Sequence, residues 1–174
     1  MTTQQKKERL RAYYETHTMV VHATNLMRPN IYLELGILDF VTINRVVPFV
    51  QKAIGVDISN KSLSLKHPSI EFHHMTTDEF FEENKDLKID FAFIDADHSY
   101  ETCLKDFLNC EARLNELGII AMHDTYPVDL RDHWVGDCWK VVKYIKANLL
   151  QYETFTFPIC PGLTLVRKAG WVVE

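Results

Sequence analysis

The chain has 174 residues, 47% of them hydrophobic and 25% charged, the balance of an ordinary globular protein with one core. With 19 basic and 24 acidic side chains the net charge is −5, and the only basic knot is the short KKERLR, so no direct grip on nucleic acid phosphates is expected. The opening MTTQQKKERL lacks the apolar core of a signal peptide, and no apolar run approaches the ~20 residues of a membrane span, which predicts a cytoplasmic protein without a membrane partner.

In chain order, residues 4–27 carry Leu10, Tyr13, Tyr14, His17, Val20, Val21, Thr24 and Met27 at three-to-four spacing, which predicts a helix ended by Pro29. IYLELGI (31–37) reads as a first buried strand running into Gly36, and DFVTINRVVPFVQ as a short helix disturbed near Pro48. AIGVDIS (53–59) and SIEFHHM (69–75) are the second and third strands. Thr77 or Asp78 is expected to cap the short helix after them.

IDFAFIDADHSY follows, and its segment 89–95 is a fourth strand, apolar enough to be buried on both faces. Cys103, Phe107, Cys110, Leu114 and Leu117 then predict an amphipathic helix stopped by Gly118. GIIAMHDT (118–125) is a fifth strand. DCWKVVKYIKANLL is a helix with Trp139, Val142, Ile145 and Leu149 inward, and YETFTFPI and GLTLVRK close the chain as a hairpin at the edge.

Strands alternating with helices predict an α/β fold with a parallel sheet and right-handed crossovers. No repeat or linker interrupts it, so a single domain over 1–174 is expected, an N-terminal helix (1–28) followed by the core (30–168). Cys103, Cys110, Cys138 and Cys160 form no C-x-x-C pair. Cys103 and Cys110 would stand about 10 Å apart on one helix, too far for a disulfide, so reduced, buried thiols are expected.

Two constellations stand at strand ends, where open α/β sheets place their ligand crevice. Gly36 after the first strand and Asp57 at the end of the second match a glycine that lets a cofactor approach and an acid that bonds ribose hydroxyls. The glycine-rich pyrophosphate cradle is absent, which disfavours NAD or FAD. A cofactor with ribose but no phosphate, such as S-adenosylmethionine, needs less of it. Asp95, Asp97, His98, His123 and Asp124 end the two strands expected to be neighbours. Carboxylates with imidazole could hold a divalent metal, or His98 or His123 could act as a general base. His73 and His74 point to opposite faces and read as structural or rim residues. Trp134 and Trp139 read as packing, whereas Tyr126 and His133 keep a substrate role open.

The combination YLELG…GVDIS…FAFIDADHSYETCLKDF…LGIIAMHDTYP…CWKVV resembles class I S-adenosylmethionine-dependent methyltransferases, most of all the small-molecule, macrocin-type O-methyltransferase branch. The resemblance covers about residues 30–168. It implies a Rossmann-like, seven-stranded, mostly parallel sheet with an antiparallel last strand and helices on both faces. It also implies methyl transfer to a hydroxyl of a small molecule such as a sugar. Glu34 and Gly36 would then lie against the methionine part of the cofactor, Asp57 at the ribose, and Thr77 and Asp78 near the adenine. Asp95 would stand beside the sulfonium and, with Asp124, bind Mg2+ in a metal-dependent enzyme. His98, with His123 as the other candidate, would be the base. The N-terminal helix is the spare element for covering a substrate or making a homo-oligomer contact.

The resemblance departs at one place. The family's second glycine, four residues after the first, is Phe40 here. The ring would crowd the cofactor's amino-acid end, or the loop takes another path. A non-catalytic methyltransferase-like domain that binds a ligand or partner is therefore the alternative. FIDADHS also resembles the Asp-x-Asp strand of haloacid-dehalogenase-type phosphatases, with Asp95 as nucleophile, but that leaves ELG and GVDIS unexplained.

Overall fold

The structure is a computed structural model that describes residues 3–127 and 136–170. Helix α1 (Thr3–Met27) leads into β1 (Ile31–Leu35), α2 (Val41–Val46), β2 (Lys52–Asp57), β3 (Ile70–His74), α3 (Thr77–Glu83) and β4 (Ile89–Ile94). Then come α4 (Tyr100–Glu111), β5 (Leu114–His123), α5 (Trp139–Asn148), β6 (Tyr152–Phe157) and β7 (Leu163–Lys168). The strands form one sheet in the order β3-β2-β1-β4-β5-β7-β6. Strands β1 to β5 run parallel, and β7 runs antiparallel to both β5 and β6. The closing hairpin is thus present, but β7 slots inside the sheet and only β6 is at the edge.

Alternation along the central strands builds two cores. Tyr32, Phe91 and Phe93 pack on one face with Val20 and Val21 of α1 and Ile43 and Val46 of α2. Leu33, Leu35 and Ile94 pack on the other with Phe80 of α3, Phe107 of α4 and Val141 and Ile145 of α5. Burial of each such side chain stabilises the fold by about 1.5–3 kcal/mol, so both faces hold the sheet. Helix α1 therefore belongs to the core layer. Its Tyr14 and Met27 are exposed despite their spacing, and the side chains of Leu10 and Tyr13 lie outside the described residues.

Three expectations need correction. The expected helix through Leu117 ends at Glu111, and Leu114 already begins β5. The backbone amide of Ile89 donates to the Arg113 carbonyl (3.0 Å) and draws the chain into the sheet. The β4–β5 register then jumps from Ile89↔Leu114 to Phe91↔Ile119, and Leu117, 66% exposed, sits in the irregular stretch. The helical spacing of Leu114 and Leu117 was a coincidence of sequence. Second, the cap of α3 is Thr76, one residue before Thr77, in a reciprocal capping box with Glu79. Third, Trp139 is only half-buried, with the Lys143 ammonium 4.5 Å from its ring centre, and Val141 fills the core instead.

Candidate active site

The site is built where the central strands end. The Asp95 amide donates to the Leu35 carbonyl (2.8 Å) and that of Gly36 to Val56 (2.9 Å), so the chain after β1 passes hard against β2 and β4. Gly36 has φ +84°, and a Cβ there would lie 2.2 Å from the Asp95 carbonyl oxygen. Only glycine fits.

The loop after it takes its own path. Leu38 (φ 46°) and Phe40 (φ 60°) also adopt the left-handed region, which is uncommon for such residues. Asp57 fixes this shape: its Oδ2 accepts from the amides of Ile37 (2.7 Å) and Leu38 (3.1 Å), and its Oδ1 from Ser59 (2.6 Å). The left-handed turn swings the Phe40 ring into the core, 1% exposed and edge-on to Phe72 at 5.3 Å. Phe40 does not line the cavity, so the ring leaves the expected cofactor space clear.

A cavity of about 850 Å³ runs along the C-terminal ends of the parallel strands. That volume suits a small ligand or cofactor. Thr77 and Asp78 after β3, Asp57 of β2, Glu34 of β1 with Gly36 just after it, and Asp95 after β4 all line it, in sheet order. The structure thus brings together every residue expected at the cofactor. Asp78 pairs with Lys105 of α4 (2.5 Å). Glu34 is buried and accepts a hydrogen bond from the Tyr32 hydroxyl. Burial pushes its pKa well up, the Tyr32 bond opposes this, and Asp95 and Asp39 add to it.

At the β4–β5 end the side chains converge. His123 Nδ1 lies 3.0 Å from Asp95 Oδ1 and 3.2 Å from Asp124 Oδ2, and its Nε2 is 2.8 Å from Thr16 Oγ1. Burial alone would lower the His123 pKa, but Asp95 and Asp124 outweigh it and push it up to about 10. Burial likewise works against the Asp95 carboxylate, and His123, His98 and His17 overcome it to hold its pKa below the usual range. His98 Nε2 stands 3.1 Å from Asp124 Oδ2 and 3.8 Å from Asp95 Oδ1.

The two candidate bases are placed differently. The His98 side chain is 37% exposed and lines the cavity. His123 is 3% exposed and is not among the residues that line the cavity.

One participant has no motif. His17 of α1 is buried, lines the cavity, and places Nε2 3.5 Å from Asp95 Oδ2, while its Nδ1 bonds Thr42 Oγ1 at 2.6 Å. Burial lowers its pKa to about 4, although Asp95 opposes this. From the sequence it is one more member of a helix's apolar stripe.

Other expectations fall at the margin. Asp97 is exposed and accepts the Ser99 amide (2.7 Å) in the turn before α4. His73 pairs with Glu71 and His74 with the Ile58 carbonyl, each at 2.9 Å. Tyr126 is exposed, and His133 and Trp134 lie outside the described residues. The cysteines are free thiols, three of them buried.

A seven-stranded sheet in this order, with β7 reversed and the cavity where connections leave β1 in opposite directions, is the Rossmann-like fold of class I S-adenosylmethionine-dependent methyltransferases. The sequence profile described as a methyltransferase domain matches residues 37–125, just over half the chain, and the chain belongs to that family. The match leaves the dehalogenase-type phosphatase reading without support.

Solved structures agree on the fold. An O-methyltransferase from Bacillus cereus, solved in complex with SAH, is 13% identical with a TM-score of 0.70, over 87% of this chain and 80% of that one. A putative O-methyltransferase from Klebsiella pneumoniae is 11% identical with a TM-score of 0.72, over 94% and 87%. A putative caffeoyl-CoA O-methyltransferase from Staphylococcus aureus is 16% identical with a TM-score of 0.70, over 88% and 83%. Comparison with curated protein sequences gives no match. Among the described residues, no helix is long and apolar enough to cross a membrane.

Proposed function

We propose that this methyltransferase carries the methyl group of S-adenosylmethionine to a hydroxyl of a small molecule, with His98 as the base. The observation that carries the reading is the continuity of one cavity from Asp57 and Asp78 to Asp95 and His98. It offers a cofactor end and an acceptor end within one enclosure. The hydroxyl acceptor is favoured by the O-methyltransferases among the structural neighbours.

S-adenosylmethionine, when bound, supplies an electrophilic methyl on a cationic sulfur. Glu34 is placed to meet a cationic amino group, which would favour its ionised form. Asp57 retains acceptor capacity for a ribose hydroxyl while it anchors the loop. Thr77 and Asp78 stand where the adenine would lie. His98, backed by Asp124, takes the hydroxyl proton, and the surrounding side chains align the nucleophile and exclude water. Asp95 and Asp124 belong with His98 to a cluster whose ligand atoms lie within 4.8 Å of one another, so the two carboxylates would also suit a divalent cation. Such an ion would lower the pKa of a bound hydroxyl.

Calorimetric titration with S-adenosylhomocysteine tests the cofactor assignment. Wild type is expected to bind, and Asp57→Ala to bind at least tenfold more weakly, because both the ribose contact and the loop anchor go. Equal affinity in the variant would refute the ribose assignment.

A further inference from the structure

Deepening that reading and resting on it, we infer that Tyr32 is a positioning residue for the cofactor's amino-acid end: its hydroxyl fixes the Glu34 carboxylate in the orientation that receives the α-amino group. Tyr32 and Glu34 are two apart on β1, so their side chains leave the same face of the sheet. There the Tyr32 hydroxyl donates to Glu34 Oε2. Glu34 lines the cavity and Tyr32 does not. With Oε2 held from within the core, Oε1 is the oxygen left for a ligand.

The Glu34 carboxylate has no other support. It is 2% exposed, and among the described residues the Tyr32 hydroxyl is its one hydrogen-bond partner and no lysine, arginine or histidine pairs with it. Its neighbours in register, Gly55 of β2 and Phe93 of β4, offer no side-chain donor. The charged groups that act on it, Asp95 and Asp39, are both acidic. A buried carboxylate is costly unless it is hydrogen-bonded, and a donor to the charged form favours that form. The Tyr32 bond accordingly opposes the upward push of burial on the Glu34 pKa. Burial and the charge of Glu34 push the pKa of Tyr32 itself well up, so the hydroxyl keeps its proton and remains a donor.

Packing does not call for the hydroxyl. The Tyr32 ring is fully buried and stacked on Phe91 of β4, with centroids 5.8 Å apart and planes 25° from parallel. Phe91 and Phe93 fill the same face of the neighbouring strand with no polar side-chain atom. A phenylalanine at position 32 would fill the same space. What the tyrosine adds is one O–H, and it is spent on Glu34. A ligand ammonium at Oε1 would then bring the positive charge that the described residues around Glu34 withhold.

The test is calorimetric titration of the whole chain with two probes, S-adenosylhomocysteine and its analogue lacking only the α-amino group. Wild type is expected to prefer S-adenosylhomocysteine by about tenfold or more. Tyr32→Phe, which removes one oxygen and keeps the stacked ring, should weaken S-adenosylhomocysteine binding by about fivefold or more and leave the analogue's affinity within about twofold. In a Glu34→Gln background the same Tyr32→Phe change should alter S-adenosylhomocysteine affinity by less than about twofold, because the group it acts through has lost its charge. A purely structural role for Tyr32 would weaken both probes alike and to the same extent in both backgrounds. Equal loss for the two probes, equal loss in the two backgrounds, or unchanged S-adenosylhomocysteine affinity in Tyr32→Phe overturns the inference while the cofactor reading stands. Binding of neither probe by wild type sinks the methyl-transfer reading and this inference with it.

Discussion

Asp57 and Asp106 show what one carboxylate's surroundings decide. Asp57 stands at a strand end with three backbone amides on its oxygens, which lets the loop after Gly36 hold two left-handed non-glycine residues. Asp106 of α4 is 1% exposed, and neither oxygen meets a well-aligned donor among the described residues. Burial pushes its pKa up to about 6; the Thr77 hydroxyl opposes this, and Asp78 and Asp97 reinforce it. An acid whose pKa is raised on folding costs nothing below its unfolded pKa of about 3.9, and destabilises progressively as pH climbs through its folded value. Asp106→Asn should therefore improve on wild type more at pH 7.5 than at pH 4, by about 2 kcal/mol, in urea unfolding curves at the two pH values. An equal effect at both would show that burial does not raise the Asp106 pKa. The place of Asp57 at the cavity was legible because a strand end is a matter of pattern, but its hold on the Ile37 and Leu38 amides was not. The fate of Phe40 was not, because the sign of φ at a loop residue is set by the neighbours that catch the backbone.

Capping and register act at the scale of elements. Thr76 and Glu79 tie the first turn of α3 at the Thr77–Asp78 end of the cavity, the Thr76 oxygen accepting the Glu79 amide (3.2 Å) and the Glu79 carboxylate the Thr76 amide (2.9 Å). Thr76→Ala removes the cap acceptor and should cost about 1 kcal/mol in chemical unfolding. A change within experimental error would mean that packing of Phe80 and Phe81 alone sets the helix start. The T-x-x-E pattern was readable; its register was missed by one residue. The end of α4 was harder. Leu114 continues the helical spacing of Cys110, and only the pull of the Ile89–Arg113 bond, a contact distant in sequence, turns the chain into β5. His17 was hidden in a similar way. A histidine on an apolar stripe carries no sign of the carboxylate it will meet across the sheet.

Across the whole molecule, the order of elements carried most of the fold. Buried apolar strands ending in Gly36, Asp57 and Asp95 placed the cavity, and parallel pairing of β4 with β5 brought His98, His123 and Asp124 to one edge, as their strand-end positions implied. The insertion of β7 between β5 and β6 needed the structure, because hairpin pattern alone does not say which strand meets the sheet. The two ends of the cavity come from different halves of the sheet, and methyl transfer requires the cofactor to span them. A crystal structure with S-adenosylhomocysteine measures that directly. The expected result has the ribose on Asp57, the amino-acid end against Glu34 and Gly36, the sulfur facing Asp95 and His98, and Phe40 still in the core. A ligand bound elsewhere, or with its sulfur turned away from His98, contradicts the assignment.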